Sequence, residues 1–238
     1  GFMPTIVANS DVVGTVVTVV RDGEVIASRG YGYADLEART PVDPNRTLFR
    51  PGSISKLFTW VAVMQQVEQG RLDLDADVNT YIDFEIPAYE GAPITLRNIL
   101  THTPGFEEVL SNLILKDPAP VLTLEDYVKN HVPTRIYPPG RTPAYSNYAT
   151  ALAGYIVQRV SGEEFASYLG AHIFDPLGMR NSTFVQPLPE EMQAAMSRGY
   201  RSRRDGEPQP FEIVPAAPAG SMSTTASDLA LFMNAMLN

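Results

Sequence analysis

The sequence predicts an α+β fold, and three observations carry that prediction. The first thirty-odd residues read as two β-branched runs around one turn, and the remainder of the chain reads mostly as helix and loop. A chain of 238 residues with 44% hydrophobic content and no low-complexity tract is also long enough to bury a sizeable core.

The elements come in order. Val12 to Val20 is rich in β-branched residues, Arg21-Asp22-Gly23-Glu24 offers turn chemistry, and Val25 to Tyr33 continues as a strand, which together make an antiparallel hairpin. A lone hairpin is marginal in water, so more strands or a helix layer must cover it. Phe49-Arg50-Pro51-Gly52 then leads into a helix from Ser53, in which Ile54, Leu57, Phe58, Val61, Met64 and Val67 repeat at three- and four-residue steps as one apolar face, with Gly70 as its stop. Further helical segments are expected at Leu96 to Thr101, Leu124 to Asn130, Tyr148 to Val160 and Glu163 to Ile173. A last one begins near Ser227, with Leu229, Phe232, Met233 and Met236 as its apolar face. Few strand candidates remain to complete the sheet. No repeat appears at periods of twenty to fifty residues, and Pro-rich stretches such as Ile136-Tyr137-Pro138-Pro139-Gly140 read as short loops.

Composition narrows the function classes. A formal net charge of −9 has the wrong sign for phosphate attraction, which argues against nucleic acid and anionic membrane as partners. The one basic cluster, Arg198, Arg201, Arg203 and Arg204, is followed by Asp205-Gly206-Glu207-Pro208 and reads as a solvated loop. With no cysteine there is no thiol catalysis, disulfide or thiolate metal site, and the compartment stays open between periplasmic or secreted and cytoplasmic. No run is long enough to span a bilayer as a helix, and Gly1-Phe2-Met3-Pro4 reads as a processing boundary.

Metal and cofactor signals are absent from the pattern. Asp73, Asp75 and Asp77 imitate the start of an EF-hand loop, but its sixth position would be Val78 instead of glycine and its twelfth Phe84 instead of glutamate. His102, His131 and His172 lack ligand-like spacing, and a structural hydrogen-bonding role is expected for His102 in its Thr-His-Thr-Pro-Gly turn. No G-x-S-x-G elbow or glycine-rich phosphate loop occurs, so neither an α/β-hydrolase nor a nucleotide site is indicated.

Two short motifs carry chemistry. In Ser53-Ile54-Ser55-Lys56 a helical course puts hydroxyl and amine one turn apart, so that the lysine can serve as the base a serine nucleophile needs. Ser53 would also sit at a helix N-terminus, where backbone N–H groups favour a developing oxyanion. Alone, the tetrapeptide fits equally a helix cap with a solvated lysine beside it. The second motif, Tyr145-Ser146-Asn147, comes after a Pro-Gly loop and precedes a long apolar segment, where a tyrosine can aim its hydroxyl into a cleft and an asparagine can orient lysine and substrate. Ordinary helix-entry chemistry would use the same residues.

Together, Gly52-Ser53-Ile54-Ser55-Lys56 and Tyr145-Ser146-Asn147 resemble the serine β-lactamase and penicillin-binding-protein superfamily. The resemblance is to its class C-like branch of class C β-lactamases, DD-peptidases and family VIII carboxylesterases. Further stretches fit: Gly30 to Asp35, Gly70 to Val78, Ile94 to Gly105, Phe174 to Met179 and Pro218 to Thr224, so that the resemblance covers nearly the whole chain. It implies a β-lactamase/transpeptidase-like α+β fold, an antiparallel sheet flanked by a helical subdomain, and a serine hydrolase acting through an acyl-enzyme on an ester, a β-lactam or a D-Ala peptide. Ser53 would be the nucleophile, Lys56 its proton partner and Tyr145 the proton shuttle, while Asn147 would bind substrate and hold Lys56; no metal or cofactor is implied.

The resemblance also has a gap. The family's third motif, a Lys/His/Trp-x-Gly triplet on a sheet strand, lies well after the segment that here spans residues 218 to 238. The expectation is therefore a single β-lactamase-like domain over 1–238, with C-terminal sheet strands missing: an N-terminal hairpin part at 1–50, a mainly helical part at 51–215, and a return toward the α/β part at 216–238. The missing part was removed, or is supplied by a complementing C-terminal chain, or the chain is a non-turnover penicillin-binding, sensor-type or inactive relative. An uncovered sheet edge would favour a homo-oligomer.

Overall fold

The computed structural model describes residues 2–116, 121–204 and 206–237. Gly1, Asp205 and Asn238, on which three of the expectations touch, lie outside them. Along the chain come α1 (Met3–Asn9), strands β1 (Gly14–Arg21), β2 (Glu24–Asp35) and β3 (Thr40–Pro41), then α2 (Ser55–Glu68), α3 (Leu96–Leu100), α4 (Leu124–Asn130) and α5 (Asn147–Ser161). They are followed by α6 (Phe165–Leu169), α7 (Asp175–Leu177), α8 (Glu190–Gln193), the short pair β4 (Gly199–Tyr200) and β5 (Pro208–Gln209), α9 (Ala217–Gly220) and α10 (Ala226–Leu237).

The chain forms two compact units. The first comprises residues 1–51, 174–212 and 223–238 and holds the sheet, ordered β1-β2-β3 with antiparallel neighbours. Arg21 pairs with Glu24 across Asp22 and Gly23, whose φ values of 52° and 78° are the left-handed pair that a two-residue hairpin turn of matching twist requires. The expected hairpin is present, and α10 packs against β1 and β2 while α1 lies against β2. Among the described residues this sheet has three strands, and β4 and β5 form a separate two-stranded one. Arg198, Arg201 and Arg204 of the basic cluster are exposed, as expected of a solvated loop. Arg198 sits beside β4 with its Nε 2.8 Å from Asp35 and its backbone N–H donating to Ala34, because β2 presents a half-buried carboxylate there.

The second unit, residues 52–173 and 213–222, is helical around α5. Ser146 caps α5 by accepting from the Ala149 N–H, and Gly162 ends it at φ 76°, where a left-handed residue is needed. Every residue from Tyr148 to Val157 is buried, so α5 is enclosed on all sides by α2, α3, α4, α6 and α9. Phe58, Leu96, Ile99, Val128, Phe165 and Leu169 line that core. The helix expected at Glu163 to Ile173 stops at Leu169 and passes into a wider π turn over Gly170–Phe174. Pro176 lacks the N–H that would continue the α ladder there.

The inward face of α2 is not the one its apolar spacing predicted. Of Ile54, Leu57, Phe58, Val61, Met64 and Val67 only Phe58 is buried, and Ile54, Leu57 and Met64 are nearly half exposed. Ser55, Lys56, Thr59, Ala62, Val63 and Gln66 turn inward instead. The polar members are accepted because each finds a partner: Thr59 Oγ1 donates to the Pro218 carbonyl at 2.8 Å and Gln66 Nε2 to the Tyr168 hydroxyl at 2.6 Å. A buried polar group so satisfied loses the desolvation cost that would have kept it at the surface.

Candidate active site

All four residues singled out from the two motifs lie in the second unit and meet there. Gly52 enters at φ 58°, a left-handed conformation that turns the chain sharply into a 3₁₀ turn, Gly52–Ile54, ahead of α2. The Ser55 hydroxyl secures this turn, donating to the Gly52 carbonyl at 2.6 Å and accepting the Met222 N–H at 3.3 Å. Ser53 is left exposed, and Lys56, on the first turn of α2, is buried beneath it.

Lys56 Nζ has three acceptors: Ser53 Oγ at 3.3 Å, Asn147 Oδ1 at 2.7 Å and the Ala219 carbonyl at 2.8 Å. An ammonium carries three N–H donors, so all are used. Burial nevertheless pushes the Lys56 pKa below its ordinary value of 10.5, against the opposing pull of Tyr145 and the Glu108 charge. When the amine is neutral, the contact with Ser53 is the one that can reverse, with Ser53 donating its proton to Nζ while Asn147 and Ala219 keep theirs.

Tyr145 comes from the loop before α5, and its hydroxyl donates to Ser53 Oγ at 2.7 Å. Lys56 Nζ lies 4.7 Å from the centre of its ring, and the His102 ring stacks on it at 4.5 Å. The structural hydrogen-bonding role expected for His102 falls to its backbone. Nδ1 is buried without a partner, so the ring acts by stacking, and the hydrogen bond is made by its backbone carbonyl, which accepts the Ala144 N–H at 2.7 Å.

Three contributors were not read from the sequence. Glu108 accepts from the Asn147 N–H at 3.0 Å and from Asn147 Nδ2 at 2.6 Å, which fixes the amide with its oxygen toward Lys56. The Ala219 carbonyl reaches Lys56 because α9 lies tight on α5 at Gly154, where a Cβ would come within 2.4 Å of Pro218 Cγ. His102 is the third. The acidic pair Glu107-Glu108, one residue after the Thr103-Pro104-Gly105 turn, was the one available sequence signal for the first.

Asp75, of the EF-hand-like triplet, is bidentate to Arg97 at 2.7 Å, and Asp73 and Asp77 accept backbone N–H groups two residues on. Among the described residues no three His, Cys, Asp or Glu side chains are arranged to hold a metal, and no helix is long and apolar enough to cross a membrane.

With the site in view, the family model described as Beta-lactamase matches residues 2–238. This chain belongs to the Beta-lactamase family. Among its relatives, the esterase EstB of Burkholderia gladioli is 31% identical over 218 residues, covering 84% of this chain and 53% of that protein. Two solved structures carry the same fold. The octameric penicillin-binding protein homologue from Pyrococcus abyssi superimposes with a TM-score of 0.84 at 29% identity, covering 98% of this chain and 54% of that one. The β-lactamase/D-alanine carboxypeptidase from Pseudomonas syringae does so with a TM-score of 0.78 at 27% identity, covering 96% and 61%. The α+β, β-lactamase/transpeptidase-like class expected from the sequence is therefore the observed one, with few strands. This Beta-lactamase family chain spans about half the length of the curated relatives it matches.

Proposed function

We propose that the chain carries the nucleophile side of a serine hydrolase that works through an acyl-enzyme on an ester, a β-lactam or a D-Ala peptide. The observation that carries this reading is the threefold contact of Lys56 with Ser53, Asn147 and Ala219, with Tyr145 on the same serine oxygen. In the proposed reaction Ser53 Oγ attacks the acyl carbon while its proton passes to neutral Lys56, and the carbonyl electron pair moves onto oxygen. The Ser53 backbone N–H is the oxyanion donor expected on this chain, a contact typically worth about 3 kcal/mol in the transition state. Collapse re-forms the carbonyl and expels the leaving group, which takes a proton from Tyr145, and Lys56 returns one to Tyr145. Water then attacks the acyl-enzyme along the same path and releases the acid and free Ser53.

The kinship with an esterase and with a β-lactamase/D-alanine carboxypeptidase supports the hydrolase class and leaves these three acyl donors as the set to test. Treatment with a fluorophosphonate or a fluorescent penicillin, followed by peptide mass spectrometry, is expected to modify Ser53 and to leave Ser53→Ala unmodified. Equal labelling of both proteins, or of neither, rules the reading out. A burst of nitrocefin or p-nitrophenyl ester cleavage without turnover would instead identify a covalent penicillin-binding module. The octameric relative also supports a proposal of self-association, to be read by light scattering.

A further inference from the structure

Glu108 belongs to two arrangements at once. On one side it holds Asn147, two side chains away from the serine, through Asn147 and Lys56. On the other it lines a cavity of about 270 Å³ whose wall also includes Leu115, Leu122, Tyr127, His131 and Tyr148. Among the described residues no acid besides Glu108 lines this space, and the one basic residue is His131, which stacks on Tyr127 at 5.0 Å with its Nδ1 3.0 Å from the Tyr127 carbonyl oxygen.

We infer that this cavity is a binding site for an aryl or branched alkyl group with a protonated amine beside it. Size and lining set the apolar part. An aryl ring fills an apolar cavity of about 150 Å³, so the space accepts one with room for a polar neighbour. Aromatic walls add a face that a cation also favours. Charge sets the polar part. Among the described residues the Glu108 carboxylate has two donors, both from Asn147, and its oxygens offer about four lone-pair positions, so an ammonium can join without displacing Asn147. Its charge is felt within the cavity: the Tyr127 pKa is pushed up to about 12 by burial and by Glu108. A second carboxylate meets the same field as repulsion. The Tyr148 hydroxyl does not compete, being committed to the Val128 carbonyl at 2.8 Å.

The inference does not depend on the hydrolase reading, and ligand binding alone tests it. Three probes that share a phenylethyl group, 2-phenylethylamine, 2-phenylethanol and 3-phenylpropionate, are titrated by NMR into the protein and into Glu108→Gln and Leu122→Trp. Leu122 is 41% exposed, so the larger side chain there fills the cavity without entering the core. The amine is expected to bind about fivefold tighter than the alcohol, the yield of a half-exposed ion pair, with the carboxylate weakest. Glu108→Gln should erase the difference between amine and alcohol, and Leu122→Trp should weaken all three probes. Failure of all probes to bind, equal binding of amine and alcohol, or an amine preference that survives Glu108→Gln overturns the inference.

Discussion

Replacing Gly154 by alanine would act on Lys56 from the far side of a helix. An alanine Cβ there falls 2.4 Å from Pro218 Cγ and 2.7 Å from Pro218 Cβ. Ordinary carbon contacts begin near 3.5 Å, so α9 must withdraw by about 1.1 Å if α5 stays where it is. Ala219 is the next residue after Pro218, and its carbonyl is 2.8 Å from Lys56 Nζ. A withdrawal of that size along the bond stretches it to about 3.9 Å, outside hydrogen-bonding range. Thr59 Oγ1, on the Pro218 carbonyl at 2.8 Å, loses its acceptor by the same movement. Overpacking of this kind costs about 1–3 kcal/mol of stability. A weakened hold on Lys56 of about 1.4 kcal/mol slows acylation of Ser53 by about tenfold. Urea unfolding and the pseudo-first-order rate of fluorophosphonate labelling read the two effects separately. Adding Pro218→Gly removes both clashing carbons, so the double variant should label close to the rate of Pro218→Gly alone. A Gly154→Ala protein with unchanged urea midpoint and unchanged labelling rate would show that the helices absorb the added methyl without moving Ala219, and the reasoning would fall.

Charge sets two further outcomes. Because burial lowers the Lys56 pKa, the rate of Ser53 labelling should rise with pH and level off below 10.5; a rise that continues through the ordinary lysine range would show that the amine is not the base. Asp83 accepts from Lys129 at 2.7 Å and from the Tyr155 hydroxyl at 2.8 Å, with Arg159 at 3.2 Å, and its pKa is lowered to about 2, first by the Lys129 contact. A carboxylate with a depressed folded pKa contributes stability above its unfolded value near 3.9, and loses it as pH falls through about 2. The urea midpoint should therefore drop further between pH 5 and pH 2 in the original protein than in Asp83→Asn. High salt should narrow the gap, since the group is about a third exposed, and equal drops would refute the assignment.

What could be read from the sequence was what local chemistry determines. The Asp22-Gly23 turn fixes its hairpin by backbone handedness, Thr123 and Ser146 cap their helices through their own hydroxyls, and the Ser53-to-Lys56 spacing needs only one helical turn. The rotation of α2 could not be read, because the apolar rule counts hydrocarbon and ignores distant partners. Thr59 and Gln66 turn inward on account of Pro218 and Tyr168, each more than a hundred residues away in sequence. Glu108 and Gly154 escaped for the same reason. A carboxylate after a turn and a glycine within a helix acquire meaning only through what the fold brings against them.

The rotation of α2 has a practical consequence. Since directed hydrogen bonds hold its inner face, the outer residues Ile54, Leu57 and Met64 are spared the task of anchoring the helix and stand nearly half in solvent. Leu57 comes immediately after Lys56 in a chain that contains no cysteine. A single thiol introduced there would be unique in the molecule, and a spectroscopic label on it would report each change at the Gly52–Ile54 turn without touching a residue that makes it.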